Sequence, residues 1–230
     1  KDGAFDGQGA FTWVNGDRYI GQYKNGKKDG LGSLFYISGG NYTGRFKNGE
    51  KNGLGEESYP NGDKYVGEYK NGLFDGQGTS IWINGDRYSG QFKAGLRNGQ
   101  GTSLWIDGST YVGQYRNGKF HGRGTYTWST GGKYVGEYKN GLQEGTGEEI
   151  FPNGNKYLGE YKNNQFHGHG TMTRIDGRVQ TGIWNNGKFK NVATSLKIKP
   201  QLVSTQTKVA LLIGNSKYEY AKDLRNPSND

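Results

Sequence analysis

A 23-residue period governs this sequence. The stretch Tyr65-Val66-Gly67-Glu68-Tyr69-Lys70-Asn71-Gly72, followed by Gly76 and Gly78, recurs from Tyr19, Tyr42, Tyr65, Tyr88, Tyr111, Tyr134 and Tyr157. A worn copy with Gln180 in the tyrosine position follows, and a half copy (Gly3, Gly7, Gly9) precedes the first. Self-similarity of this length marks an array in which each unit is stabilised by its neighbours. With 30% hydrophobic residues and 43 glycines the chain would otherwise read as disordered, but the strict period and 14% aromatic content exclude that. The array runs over residues 1–190. Lys1 falls inside a repeat, so the chain is expected to be trimmed at its N-terminus, where a polar cap normally sits.

The glycines answer to backbone demands. Of the 43, 40 fall in five columns of the repeat. The column Gly16, Gly39 through Gly177 is mostly preceded by Asn or Asp, a hairpin-turn signal. The column Gly3, Gly26 through Gly187 is broken once, by Asn164, and reads as left-handed backbone at a strand exit. Pairs of the Gly30-x-Gly32 type are expected to open each second strand.

The aromatics are equally ordered, 22 of 32 lying in the Trp13, Tyr19 and Tyr23 columns. Each repeat then reads as one hairpin, with strands near 10–14 and 17–24. A two-residue loop at Asn15-Gly16 would split Trp13 from Tyr19. A three-residue loop, Val14-Asn15-Gly16 with Gly16 left-handed, pairs Trp13 with Asp17 and Phe11 with Tyr19, and keeps the aromatic columns on one face. The expected fold class is all-β: an elongated single-layer array of β-hairpins, advancing about 10 Å per repeat.

The Tyr-x-Gly-x-Tyr-Lys-Asn-Gly-x-x-x-Gly-x-Gly pattern at Tyr65–Gly78 resembles the MORN repeat. The resemblance implies an elongated hairpin array used as a scaffold or beside enzyme domains, with lipid binding as a proposed property.

Formal charge is +9, so the placement of cations matters more than their sum. Lys24, Lys47, Lys70, Lys93, Arg116, Lys139 and Lys162 fill one column. Strand alternation points them away from the aromatic face. This ladder is the candidate contact for anionic lipid or a protein partner; the plainer reading is a solubilising row that guards strand ends. Within the octapeptide only Lys70 and Glu68 are free to face a partner. Stacking of nucleic acid needs aromatics and cations interleaved on one face, so no nucleic-acid partner is expected. An open ribbon leaves two unpaired edges, which suits homodimer formation.

His121 and His167 share a column with Asp6, Asp29, Asn52, Asp75, Asn98 and Glu144, read as a polar loop position. His167 and His169 lack a third ligand nearby, so no metal site is expected, nor any cofactor. No catalytic constellation occurs in the array. Zero cysteine removes disulfides and thiolate ligands. No run has bilayer length or signal-peptide character, so a cytoplasmic place is expected, with membrane association only through the lysine ladder.

After Lys190 the period stops. Residues 191–207 read as a linker, with Leu196 to Ile198 as a short strand. Lys208 to Asn215 (KVALLIGN) reads as a strand buried on both faces, and Pro227 to Asp230 as a helix entrance. Gly214 is not a phosphate loop, since no Gly-Lys-Ser/Thr follows. One strand and a helix start are too little for a core, so this domain is expected to be incomplete here.

Lys208 to Asn215, Tyr218, and Leu224 through Pro227 to Asp230 resemble the opening of the caspase-like peptidase domain, closest to paracaspases. The resemblance implies an α/β domain with a Cys–His dyad, of which neither member is in this chain: there is no cysteine, and all three histidines lie in the repeats. It places Asp230 where paracaspases hold an acid of the primary specificity pocket, implying cleavage after Arg or Lys. A helix N-cap is the alternative for Asp230. Arg225 lies near where caspases hold a pocket arginine, but its neighbours depart from that motif. Three functions stay open: a non-catalytic scaffold or regulatory arm of a caspase-like cysteine endopeptidase, a membrane-recruitment module, and a plain interaction scaffold whose terminal domain is inactive.

Overall fold

The computed structural model describes residues 5–190. The linker at 191–207, the strand expected at Lys208–Asn215, the helix entrance and Asp230 lie outside the described residues.

Within them the chain forms one sheet of 17 strands. They are β1 (Gly7–Thr12), β2 (Arg18–Lys24), β3 (Lys27–Phe35), β4 (Asn41–Lys47), β5 (Glu50–Ser58), β6 (Lys64–Lys70), β7 (Leu73–Ile81), β8 (Arg87–Lys93) and β9 (Leu96–Leu104). The rest are β10 (Thr110–Arg116), β11 (Lys119–Thr127), β12 (Lys133–Lys139), β13 (Leu142–Ile150), β14 (Lys156–Lys162), β15 (Gln165–Thr173), β16 (Val179–Asn185) and β17 (Lys188–Lys190). Each strand pairs antiparallel with the one before and the one after it, from β1–β2 through β2–β3 to β16–β17. No helix occurs among the described residues.

The register of the first hairpin is the one that keeps the aromatics together. Gly9 faces Gly21 and Phe11 faces Tyr19. The Trp13 amide donates to the Asp17 carbonyl at 2.8 Å, and Gly16 has φ of +92°. A three-residue loop with a left-handed glycine therefore closes the hairpin.

The other connection departs from expectation. Asn25 and Gly26 do not merely end a strand; both are left-handed (φ +48° and +71°), and Lys24 pairs directly with Lys27. That is a two-residue type I′ turn, so every junction between repeats is a second hairpin. The longer strands consequently begin at Lys27 and its equivalents, ahead of the Gly30-x-Gly32 pair. Two extra residues are absorbed in a bulge: Gly21 faces Gly32, but Tyr23 faces Lys28. Gly30, at φ +101°, sits in that bulge.

The core is a single file of rings lying on glycine. Tyr19, Tyr42, Tyr65, Tyr88, Tyr111, Tyr134 and Tyr157 are the largest fully buried side chains. Each lies over a facing glycine pair such as Gly67 and Gly78, where any added Cβ would strike the ring. Each hydroxyl donates to the carbonyl three residues on, as Tyr65 does to Glu68 at 3.0 Å. The second ring of each repeat meets the first edge-on, and also the tyrosine of the preceding repeat. Tyr69, for example, lies 5.2 Å from Tyr65 and 5.1 Å from Tyr42. Edge-to-face packing of this kind adds about 1 kcal/mol per pair beyond area burial. It also binds each repeat to the one before.

Both margins of the sheet are stitched between repeats. Gly49 N donates to Lys28 O at 2.8 Å, and Gly72 N to Lys51 O at 2.9 Å. At the opposite margin Asp17 Oδ1 accepts the Ile37 amide at 2.9 Å, and Asp63 Oδ1 the Ile83 amide at 2.8 Å.

Candidate functional site

The two faces of the sheet offer different chemistry. Lys24, Lys47, Lys70, Lys93, Arg116, Lys139 and Lys162 each end a strand and are exposed, on the side away from the tyrosines. No ion pair engages them among the described residues. They alternate with acids: a cleft of about 570 Å³ is lined by Lys47 and Lys70 but also by Glu50, Glu68 and Asp75.

Glu68 is not free. Its Oε1 accepts the Gln77 amide at 2.8 Å, and Gln22, Gln91 and Glu160 do the same for Leu31, Gln100 and His169. In these repeats the column caps the bulge, whose amides the ladder has left unpaired. The supposed polar loop column is also structural and lies within strands. Asp29 Oδ2 accepts the Asn48 amide of the next turn at 3.2 Å, and Asp75 Oδ2 that of Ala94 at 3.1 Å. His121 and His167 occupy this column half-buried, and Nδ1 of each has no hydrogen-bond partner. No group of three or more His, Cys, Asp or Glu with metal-site geometry occurs among the described residues.

The aromatic face carries cations that the separation of faces had ruled out. Lys28 faces Tyr23 across the ladder, and its ammonium lies 5.5 Å from the Trp13 ring centroid and 5.2 Å from that of Phe46. Arg97 stands 5.5 Å from Tyr88 and 5.3 Å from Tyr115. In alternate repeats the same column holds a phenyl ring: Phe74 stacks on Tyr65 at 3.6 Å, Phe120 on Tyr111 at 3.8 Å and Phe166 on Tyr157 at 3.8 Å. The column thus supplies a cation or a ring beside six of the buried tyrosines, and Gln143 in the repeat of Tyr134. Sequence reasoning missed this column because it started the strands at the glycine pair, three residues late. The signal was present in Lys28, Lys51, Phe74, Arg97, Phe120, Gln143 and Phe166 at the constant spacing.

Lys51 is enclosed by three rings and a carboxylate. Its ammonium lies 5.6 Å from Tyr36, 5.0 Å from Tyr42 and 5.7 Å from Tyr69. It pairs with Glu57, which is only 6% exposed. The hydroxyls of Tyr59 and Tyr69 both donate to Glu57 Oε2 at 3.0 Å. Desolvation first, and then the Glu57 carboxylate, pushes the Tyr69 hydroxyl far up.

Four repeats later the arrangement returns altered, with Phe151 where Tyr59 stands, so one hydroxyl donor to the carboxylate is lost. Trp128, Tyr134, Tyr161 and Glu149 stand where Tyr36, Tyr42, Tyr69 and Glu57 stand, while Gln143 replaces Lys51. The Tyr161 hydroxyl donates to Glu149 Oε2 at 3.1 Å. Burial pushes the Glu149 carboxyl above its ordinary value, the Tyr161 hydrogen bond opposing it. Here the face opens into a cleft of about 550 Å³ lined by Phe120, Tyr126, Trp128, Gln143, Glu149, Phe151 and Phe166.

No curated protein matches the chain. Among solved structures it is similar to the TCP domain of Drosophila melanogaster SAS-4, in complex with a proline-rich motif of Ana2. That likeness is 15% identical over 57% of this chain and 73% of that one, with a TM-score of 0.37. A second Drosophila Sas-4 structure, of its TCP10c domain, is 8% identical over 77% and 99% of the two chains, again at 0.37. The virginiamycin B lyase of Staphylococcus aureus is 10% identical over 77% and 70%, at 0.18. Likenesses this distant carry no argument about function. The family model described as MORN repeat, however, matches residues 1–18, 19–41, 42–64, 65–87, 88–110, 111–133, 134–156 and 157–177. With eight consecutive matches laid over the hairpins, this chain belongs to the MORN-repeat family.

Proposed function

We propose that the array is a non-catalytic scaffold arm: a docking surface for another protein, joined to a caspase-like cysteine endopeptidase. One observation carries the docking role. Seven like tyrosines make a uniform frame, while the columns over and beside them change from Lys51 to Phe74 to Arg97 to Gln143, and from Glu57 to Ser80 to Glu149. Packing a sheet does not require such variety, whereas reading a partner along its length does. The peptidase half rests on the likeness of Lys208 to Asn215, Tyr218 and Leu224 to Asp230 to the start of that domain. On it, Asp230 lines the primary pocket and the whole enzyme cleaves after Arg or Lys by charge pairing.

Assaying the protein encoded by the full reading frame on Arg-, Lys- and Asp-containing peptides tests this reading. Thiol-dependent cleavage after Arg or Lys is expected. Absence of cleavage of all three, with no Cys and His beyond Asp230, would leave a plain interaction scaffold with an inactive terminal domain.

The second reading is recruitment to anionic lipid. It is favoured by the exposure of all seven ladder cations at strand ends. Each such cation near a charged surface contributes about 1 kcal/mol. Co-sedimentation with phosphatidylserine vesicles separates the two readings, since binding that vanishes with added salt supports the ladder and no preference for anionic vesicles rejects it.

A further inference from the structure

The chain contains a built-in template for its own ligand. At Lys51 three tyrosine rings and a buried carboxylate enclose a primary ammonium. At Gln143 the carboxylate and three rings are retained, with Trp128 in place of Tyr36, but the cation is gone, and Phe151 in place of Tyr59 removes one hydroxyl donor to the carboxylate. Gln143 is neutral and buried at 8% exposure, so Glu149 has no cation of its own beside it. Among the described residues no ion pair involves Glu149, whereas Glu57 has one. The space above Glu149 opens as a cleft of about 550 Å³ walled by Phe120, Trp128, Phe151 and Phe166.

Rings with their faces toward a cation supply attraction through the quadrupole, the more so where the cation is desolvated. A half-buried carboxylate is costly to leave charged without a counter-ion, and an arriving ammonium relieves that cost. We infer that the cleft around Trp128 and Glu149 binds the side chain of a lysine from a basic segment of a partner protein. The ammonium sits against Glu149 and over Trp128, as the chain's own Lys51 sits against Glu57 and over Tyr36.

Lysine fits better than arginine because the template ammonium is a compact point charge. The cation at Arg97 stands instead beside Ser103, with no carboxylate, and its guanidinium turns to the Gly118 carbonyl at 3.2 Å. The inference deepens the docking role by naming what one stretch of the face takes. It is independent of the peptidase, so loss of cleavage activity leaves it standing.

The test titrates the 230-residue chain with a lysine-containing pentapeptide, its ε-acetylated form and its arginine form. Binding is followed by the indole N–H resonances of the five tryptophans. The lysine peptide is expected to move the Trp128 signal and leave those of Trp13 and Trp184, which double as a check on folding. Acetylation or Glu149→Gln should weaken binding at least tenfold. Gln143→Lys supplies the internal cation and should abolish binding in a folded protein, since an equivalent carboxylate and two equivalent tyrosines already accommodate lysine at position 51. An unmoved Trp128 signal overturns the inference, as does equal binding of the acetylated peptide or undiminished binding by Gln143→Lys. Preference for the arginine form would overturn the choice of lysine.

Discussion

Replacing Gly67 by alanine isolates what the glycine floor does. Gly67 has a backbone conformation that any L-residue adopts, so the objection to a side chain there is wholly steric. An added Cβ would lie 2.5 Å from the Gly78 Cα, 2.5 Å from the Tyr65 hydroxyl and 2.6 Å from the Gln77 carbonyl. Ordinary carbon contacts are about 3.5–4.0 Å, so β6 and β7 must part by about 1 Å and the ring must lift. Parting the strands misaligns roughly two ladder hydrogen bonds, each contributing about 1 kcal/mol net. Lifting Tyr65 breaks its hydroxyl bond to Glu68 O, another ~1 kcal/mol, and re-exposes part of a ring whose burial contributes roughly 2–3 kcal/mol. The expected loss is about 4 kcal/mol, concentrated in one repeat. The matched control is Gly118→Ala, at φ +80° with nothing within 4 Å of the new Cβ. It meets only left-handed strain, about 1–2 kcal/mol. Arrays need not unfold in one step, so native-state hydrogen exchange of the β6 and β7 amides is the assay. If Gly67→Ala costs under about 1 kcal/mol, or no more than Gly118→Ala, the steric account is wrong.

Four further outcomes are expected. Lys51→Met strands the buried Glu57 with only its tyrosine donors and should destabilise its repeat by about 3 kcal/mol in hydrogen exchange of the β5 amides; a neutral result would mean the pair is solvated. Ala94 is the one alanine among the asparagines of the type I′ turns, at φ +48°, so Ala94→Asn should stabilise by about 1 kcal/mol in exchange of the β8 and β9 amides. Burial raises the Glu149 carboxyl, so its contribution to stability is full below its ordinary value and is lost as pH rises through the raised one. Glu149→Gln should therefore raise the melting temperature at pH 7 and leave it unchanged in acid, and the reverse order would contradict the burial. Burial first of all raises the Tyr19 and Tyr157 hydroxyls from 10.0 to about 12, so their contribution holds below pH 10 and is lost as pH climbs through 12. Tyrosinate absorbance and loss of strand circular dichroism should thus coincide, and tyrosinates of these residues forming near pH 10 in an intact sheet would contradict it.

Much of this architecture is legible before any coordinates. Parity alone selects the three-residue loop, because Trp13 and Tyr19 share a face only if Phe11 faces Tyr19. The second hairpin was harder to see. Asn25-Gly26 carries the sequence of a type I′ turn, but a left-handed residue also ends strands, and one column of asparagines and glycines does not distinguish a stop from a turn. Placing the strand start at Gly30 instead of Lys27 then hid Lys28, Lys51 and Arg97, which look like loop residues until the strand is extended back to them. Glu68 was misjudged for a related reason. A bulge leaves an amide unpaired, and a Glu or Gln opposite can satisfy it, but the bulge itself leaves no mark beyond a glycine.

The antiparallel meander also fixes how the array meets a pull. Every strand lies across the direction in which repeats are added, and each is bonded only to the strands before and after it. Tension applied between the two ends loads these hydrogen bonds one pair at a time, as in a zipper, and never a whole row in parallel as in shear. The resisting elements at each step are a few ladder bonds, one tyrosine on its glycine floor and the marginal stitches such as Gly72 N to Lys51 O. An arm of this construction yields repeat by repeat under small forces and re-forms from whichever repeats remain folded, since each carries the template for the next. Pulled in that direction, the sheet is expected to lengthen rather than to hold as a strut.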